Sequence, residues 1–171
     1  MSDLNAILQR PVNIVLAVIL VDIFAMILAR NNIAGNVINE WYNKFTFGAF
    51  VADIASICFG IFLSLFLFKN VFPKNSFTPV NFIVCVVLIQ LLHDLLFSIV
   101  IRSYPSRQNK MMDLFKSYVN ENSWKILLVD AIMMISSVLL IYLFLRSNLD
   151  DIMIYTLLAF ALYFAQFLIY S

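Results

Sequence analysis

Five apolar segments, each close to twenty residues long, constrain this 171-residue chain more than any other feature of its sequence. An α-helix needs ~20 apolar residues to cross the hydrocarbon core of a bilayer. A transmembrane β-strand would be about half as long and would alternate in polarity, which these segments do not do. Because the backbone must satisfy its own hydrogen bonds in lipid, the segments are expected to be helices. They run over about 12–29, 46–68, 80–101, 124–145 and 151–170.

The composition agrees with several membrane passages. Hydrophobic residues make up 63% of the chain and charged residues 12%, and the mean hydropathy is +0.95. A soluble domain is about half apolar and about a quarter charged. The prediction is an all-α polytopic integral membrane protein, a bundle of about five transmembrane helices in a single transmembrane domain over residues 1–171.

The connection between the third and fourth segments has a pattern of its own. In NKMMDLFKSYVNEN, the apolar side chains recur at helical spacing and the charged ones fall largely elsewhere. The apolar positions are Met111, Met112, Phe115, Tyr118 and Val119. This pattern predicts a short amphipathic helix on the membrane surface over about 109–120. A surface loop with apolar anchors is the alternative.

The distribution of basic residues predicts an orientation. Seven of the eleven Lys and Arg residues lie on the side of the two long connections, after the first and third segments. The positive-inside rule then places the long connections and the C-terminus in the cytoplasm and the N-terminus outside or in a lumen. Aromatic residues on the long-connection side are expected to anchor it at the membrane interface. These anchors are Trp41, Tyr42, Phe115, Tyr118 and Trp124.

Several classes of function find no support in the sequence. The net charge of +1 gives no indication of nucleic-acid binding. Cys58 and Cys85 both lie in apolar runs, and no CxxC occurs, so a disulfide framework is not expected. No Walker, GxSxG or HExxH motif is present, nor a GxGD or TVGYG sequence, so classical catalysis is not expected.

Polar residues inside the apolar segments are the candidate functional site. A charged group in hydrocarbon costs roughly 2.5–3.5 kcal/mol even on insertion scales, so such groups normally face the bundle interior and have partners. Antiparallel threading places nearly all of them at one depth, toward the long-connection face. The predicted polar layer consists of Asp22, Asp53, Gln90, His93, Asp94, Asp130 and Gln166. Arg30, Lys44, Arg102 and Lys125 lie close enough in sequence to neutralise part of it.

Three interpretations of this layer stay open. It could be a hydrogen-bonded layer that fixes helix packing. It could carry protons or cations, because an intramembrane ionisable residue is a functional hypothesis by default and a histidine titrates near neutral pH. It could also hold a divalent metal through His93, Asp94, Asp53 and Asp130. No other cofactor is indicated.

Four short motifs, in order, resemble a known family. They are WYNKF with ADI downstream (41–54), HDLLF (93–97), NKMMDLFK (109–116) and VDAIMMI (129–135). Together they are similar to a family of multi-pass membrane proteins, without assigned activity, encoded by large nucleocytoplasmic DNA viruses of algae and amoebae. The similarity covers roughly residues 37–140, and the chain departs from the family pattern at KILLV (125–129). The resemblance implies a viral source and a virion membrane or another host-derived membrane.

Two functions follow as expectations. The first is a structural or scaffolding role in such a membrane, with lipid, a capsid or other membrane proteins as partners. The second is a small proton or cation channel or carrier that uses the intramembrane Asp and His residues. In either role, a bundle of five spans could complete its interior as a homo-oligomer.

Overall fold

The computed structural model describes residues 2–31, 36–73, 76–147 and 149–170, and the secondary structure of these residues is α-helical throughout. The side chains of residues 2, 36–38, 118, 120–123, 125 and 126 lie outside the description as well. The helices are α1 (Ser2–Gln9), α2 (Pro11–Arg30), α3 (Asn36–Phe45), α4 (Phe47–Asn70), α5 (Pro79–Ser103), α6 (Lys110–Arg146) and α7 (Asp151–Ile169). The all-α prediction is confirmed for this part of the chain.

Five helical segments are long and apolar enough to cross a membrane. They are α2, α4, α5, the Leu127–Arg146 part of α6, and α7. Their bounds agree with the segments predicted from the sequence to within a few residues. The protein is an integral membrane protein with a helical bundle.

Local sequence explains where several helices begin. Pro11 and Pro79 occupy the first turns of α2 and α5, where a missing backbone N–H has no cost. Thr78 accepts a hydrogen bond from the backbone of Asn81 at the start of α5. Asn109 and Asp150 cap α6 and α7 in the same way, through side-chain oxygens that accept backbone N–H groups.

The helix α2 lies at the centre of the bundle. It packs against α4, α6 and α7, while α5 packs against α4 and α6. In the most apolar stretch of α2, 61% of the residues are buried, compared with 17% in the corresponding stretch of α5 and 22% in that of α7. The outer faces of α5 and α7 expose large apolar side chains such as Leu92, Ile99, Phe160 and Phe167, which suits contact with lipid.

Two short helices close the ends of the bundle, and the sequence reasoning predicted neither. Both α1 and α3 contact α2, α4 and α6. Arg10 donates a hydrogen bond to the carbonyl of Leu149 over 3.4 Å, which places α1 where α2 begins and α6 ends. The helix α3 follows the C-terminus of α2, so it closes the opposite end.

The amphipathic helix predicted over 109–120 is helical from Lys110 onward, but it is not a separate helix. It continues without interruption into the fourth span as α6, of which only Leu127–Arg146 qualifies as a span. The non-spanning part packs on the α3 end of the bundle, where Phe115 contacts the rings of Trp41 and Phe97. No glycine or proline occurs in 110–146 to end the helix, which explains its continuity.

A single residue, Thr46, joins α3 to α4. Its φ of 44° and ψ of −117° lie in a region that a β-branched residue rarely adopts. This conformation reverses the chain direction sharply after Phe45. It thereby folds α3 back over the end of the bundle that α2 and α4 share.

Candidate functional site

The deepest part of the polar layer joins α2, α3 and α4. Tyr42 on α3 bridges two aspartates, with its hydroxyl oxygen 3.0 Å from Asp22 Oδ1 and 2.8 Å from Asp53 Oδ2. Trp41 Nε1 donates a second hydrogen bond to Asp53 Oδ2 over 3.1 Å. Asp22 is fully buried, with 0% of its surface exposed. Neutral donors from α3 therefore reach two carboxyl groups inside the bundle.

Tyr42 remains a hydrogen-bond donor in this environment. Burial raises the pKa of the Tyr42 phenol well above its ordinary value, and the neighbouring carboxylate of Asp53 raises it further. A phenolate would be both desolvated and next to a negative charge. The hydroxyl therefore keeps its hydrogen over the physiological range.

A second part of the layer lies on α5. Gln90 and Asp94 are one helical turn apart, and Gln90 Nε2 donates to Asp94 Oδ1 over 2.7 Å. His93 Nδ1 lies 3.1 Å from the same oxygen, and its ring stacks on Phe97 at a centroid distance of 5.7 Å. Gln90 is buried, whereas 37% of the His93 side chain is exposed. His93 and Asp94 thus form one hydrogen-bonded unit with Gln90.

Asp130 on α6 connects the two parts. It is within electrostatic range of both Asp94 and Asp53. The structure therefore brings together six of the predicted layer residues along one row. The row begins at Asp94, which both His93 and Gln90 contact, and continues through Asp130 and Asp53 and, across Tyr42, to Asp22.

Gln166 does not belong to this layer. Its side chain is exposed on α7, whose buried residues are instead Ile154, Ala161, Ala165 and Ile169. The depth argument placed Gln166 correctly along the span but could not give the face of the helix. Counting residues along a span gives the depth of a side chain but not its direction around the helix axis.

The aromatic anchors divide into two groups. Trp124 is 67% exposed, as expected of an interface residue. Trp41 and Tyr42 are buried and point at the carboxyl groups, so their interpretation as interface anchors was wrong. Phe115 is partly buried between aromatic neighbours. Tyr118 has its side chain outside the described part of the structure.

Basic side chains do not neutralise the layer as expected. Arg30 donates instead to Asn43 Oδ1 and to the carbonyl oxygens of Leu168 and Ile169 at the end of α7. Lys44 pairs with Glu40 at 3.6 Å. Arg102 is exposed, and the side chain of Lys125 lies outside the description. In the ranges that the structure describes, no Lys or Arg forms an ion pair with the four layer aspartates.

The metal hypothesis gains no geometric support. Among the described side chains, no three His, Cys, Asp or Glu residues converge closely enough to hold a metal ion. His93, Asp94, Asp53 and Asp130 are spread along the row instead of meeting at one point.

The sequence contains a helical pattern around Trp41 and Tyr42 that the prediction did not use. In NVINEWYNKF, apolar or aromatic residues recur at Val37, Ile38, Trp41, Tyr42 and Phe45, which is the spacing of one helical face. The connection after the first span was described only as one of the two long connections, and no helix was predicted in it. Helical spacing there would have directed Trp41 and Tyr42 to the same side.

The fold and the site together define a class: a multi-span helical membrane protein with a partly buried row of acidic side chains. Comparison with protein-family models, curated proteins and solved structures gives no match to this chain.

Proposed function

We propose that this protein is a structural component of a membrane, without classical catalysis, and that its acidic layer fastens the helices of the bundle to one another. The observation that carries the proposal is the pairing at Asp53, which accepts hydrogen bonds from Trp41 and Tyr42 of α3. Neutral donors that satisfy a buried carboxyl group rigidify a bundle and determine which helices pack together. A scaffold requires such fixed packing.

The resemblance of the four motifs to the viral family supports a viral source and a virion or host-derived membrane. The basic bias of the long connections supports a topology with these connections and the C-terminus in the cytoplasm. In that orientation the α3 end, with Trp124 and the start of α6, faces the cytoplasm. It would contact a capsid or other membrane proteins, and copies of the chain could associate through the apolar faces of α5 and α7.

Location and deletion test the structural role. We expect the protein in the membrane fraction of purified particles, and we expect its deletion to reduce the yield of complete particles. Its absence from purified particles, together with normal assembly after deletion, would contradict the proposal. A chain with Tyr42→Phe, which removes one donor of the layer, is expected to give an intermediate phenotype.

A second candidate is the movement of protons or cations along the same row. The observation in its favour is Asp130, which interacts electrostatically with Asp94 and Asp53 and has no basic partner in the described residues. Carboxyl groups without a cation nearby hold protons or attract mobile cations.

Liposome flux separates the two candidates. If the row carries protons, wild-type protein should collapse a pH gradient, and His93→Ala or Asp94→Asn should abolish that flux. Gln166→Ala is the matched control, because Gln166 lies in a span but outside the row, and it should leave the flux unchanged. Wild-type protein without proton or cation flux would exclude the transport function.

A further inference from the structure

The hydrogen bonds around Tyr42 require a proton that the phenol cannot supply. Tyr42 has one hydroxyl hydrogen, and its oxygen lies within hydrogen-bond distance of Asp22 Oδ1 and Asp53 Oδ2. Each of these two contacts needs a hydrogen between its oxygens. One carboxyl group must therefore carry the second hydrogen and donate it to the Tyr42 oxygen.

The remaining contacts indicate which carboxyl group is protonated. Asp53 Oδ2 accepts from Trp41 Nε1 and lies 2.8 Å from the Tyr42 oxygen, the shorter of the two phenol contacts. A carboxylate oxygen with two donors is stabilised as the charged form. Asp22 is fully buried, and its Oδ2 is without a hydrogen-bond partner in the described part of the chain. An ionised carboxylate would be poorly solvated there, so the hydrogen belongs on Asp22.

We propose that Asp22 binds one exchangeable proton, that this proton is donated to Tyr42, and that it fastens α3 to the bundle. Loss of the proton would leave a second carboxylate 3.0 Å from a phenol oxygen whose only hydrogen already points to Asp53. The α3 contact at Asp22 would then become repulsive, and α3 would leave the end of the bundle. This inference rests on the proposed structural role and adds to it, because the docking of α3 on the bundle would depend on protonation of Asp22.

The charged groups around Asp22 favour the protonated form. On the packed elements, Asp53 on α4 contributes negative charge at Asp22, and Asp130 on α6 lies near Asp53, with Asp94 and His93 beyond it on α5. Arg30 at the end of α2 is engaged with Asn43 and the end of α7. On α3, Glu40 and Lys44 pair with each other, and on α1, Asp3 interacts with Tyr142 at the other end. The titratable residues of α7 are Asp151, Tyr155 and Tyr163, and Tyr170 follows directly after it; all four are exposed.

The pH dependence follows from the direction of proton release. If the docked state holds a proton that the undocked state releases, raising the pH favours undocking. The docked form of α3 is thus stable at low pH and is lost as the pH rises through the value at which Asp22 ionises.

Infrared spectroscopy and fluorescence test this proposal on the full chain in lipid nanodiscs. A protonated carboxyl group has a C=O stretch distinct from that of a carboxylate, and the Asp22 band is expected to shift in D₂O. Asp22→Asn should remove this band, whereas Glu40→Gln, an exposed acid on α3, should leave it unchanged. Persistence of the whole band in Asp22→Asn would place the proton elsewhere and overturn the proposal.

Undocking of α3 is measured by quenching of Trp41 fluorescence in a Trp124→Phe background. We expect quenching by a soluble quencher to rise about threefold between acidic and alkaline buffer as the local opening exposes the indole. In Asp22→Asn the amide can still donate to Tyr42 but cannot ionise, so quenching should stay low at every pH. An unchanged pH response in this variant would contradict the role of Asp22.

Tyr42→Phe keeps the test decisive if Asp22→Asn fails to fold. Removal of the phenol oxygen takes away the acceptor of the Asp22 hydrogen, so the protonated-carboxyl band should move to higher frequency. An unmoved band would show that Asp22 does not donate to Tyr42. None of these readouts depends on particle assembly, so they can fail while the structural role stands, and the reverse also holds.

Discussion

The two ends of the bundle are covered by short helices that contact the same three spans but differ in chemistry. At one end, α1 inserts Leu4 and Ile7 into the apolar core. At the other end, α3 inserts Trp41 and Tyr42, whose polar atoms reach the carboxyl groups of α2 and α4. The side chains of each terminal helix therefore match the chemistry of the bundle end that the helix contacts. A terminal helix in this fold is therefore held by burial of apolar surface at one end and by hydrogen bonds at the other.

The match is incomplete beneath α1. Asn13 near the start of α2 is buried with neither amide atom hydrogen-bonded, and the Tyr142 hydroxyl of α6 is likewise without a hydrogen-bond partner among the described residues. Apolar side chains of α1 offer no donor or acceptor to them. Buried polar atoms without hydrogen-bond partners among the described residues thus occur at the α1 end, and Asp22 Oδ2 is an example at the α3 end.

The largest effect is expected from Ile7→Ala. Ile7 is 1% exposed, and truncation of a buried isoleucine removes apolar contacts and leaves a cavity, at a cost of about 3 kcal/mol. The free energy of unfolding can be measured by denaturant titration in mixed micelles. Gln9→Ala on the exposed side of α1 is the control and should change it little. A small effect of Ile7→Ala would mean that α1 does not stabilise its end through burial.

Tyr42→Phe should destabilise the protein by about 2 kcal/mol, because it leaves a buried acceptor and a buried donor unsatisfied while changing the volume little. The same unfolding titration applies, with Tyr163→Phe on the exposed face of α7 as the matched control. Equal effects of the two substitutions would show that the α3 end is held by packing, as the α1 end is.

Gly60→Ala tests how closely the helices pack next to the polar layer. A Cβ at Gly60 would lie 2.5 Å from the terminal methyl of Met134 and 3.9 Å from Gln90 Oε1, so Met134 must move within a packed core. We expect a loss of about 1 kcal/mol, because overpacking strains the neighbours. At Gly48 the nearest atom, Met111 Cε, is 3.5 Å away, so Gly48→Ala should instead stabilise α4. Similar effects at both glycines would rule out close packing at Gly60.

An effect as small as that of Gly60→Ala, but of opposite sign, is predicted for Asn13→Leu. Replacing a buried, unsatisfied amide with an apolar side chain of similar size should stabilise the protein by about 1 kcal/mol. Asp22→Leu, the analogous change at the α3 end, should destabilise because it leaves Tyr42 without its partner. Destabilisation by Asn13→Leu would indicate that Asn13 has a partner such as a buried water.

The spans and the acidic row were predictable because both depend on the position of residues along the sequence. Length and hydropathy determine which segments cross the membrane, and counting residues from the ends determines the depth of Asp53 and Asp130. The direction of a side chain around its helix is a different quantity. Counting along α7 gave the depth of Gln166 but not its direction, and its side chain is exposed.

Short helices at the bundle ends were harder to anticipate for another reason. Residues 2–9 and 36–45 are too short to be stable as isolated helices, so their conformation depends on tertiary packing. Trp41 and Tyr42 have the composition of interface anchors, and only the reversal at Thr46 turns them inward. The sequence pattern of α6 predicted its helical character, but nothing in the pattern distinguished one long helix from two.

The hydrogen bonds of the bundle differ in how early they can form during synthesis. Tyr42 is 20 positions from Asp22 and 11 from Asp53, so the bridged carboxyl groups can be assembled when only the first two spans have entered the bilayer. Arg30, by contrast, must wait for carbonyl groups 138 and 139 positions later. The bridge from Asp22 through Tyr42 to Asp53 can therefore form before the contacts of Arg30 with the end of α7, which require the whole chain.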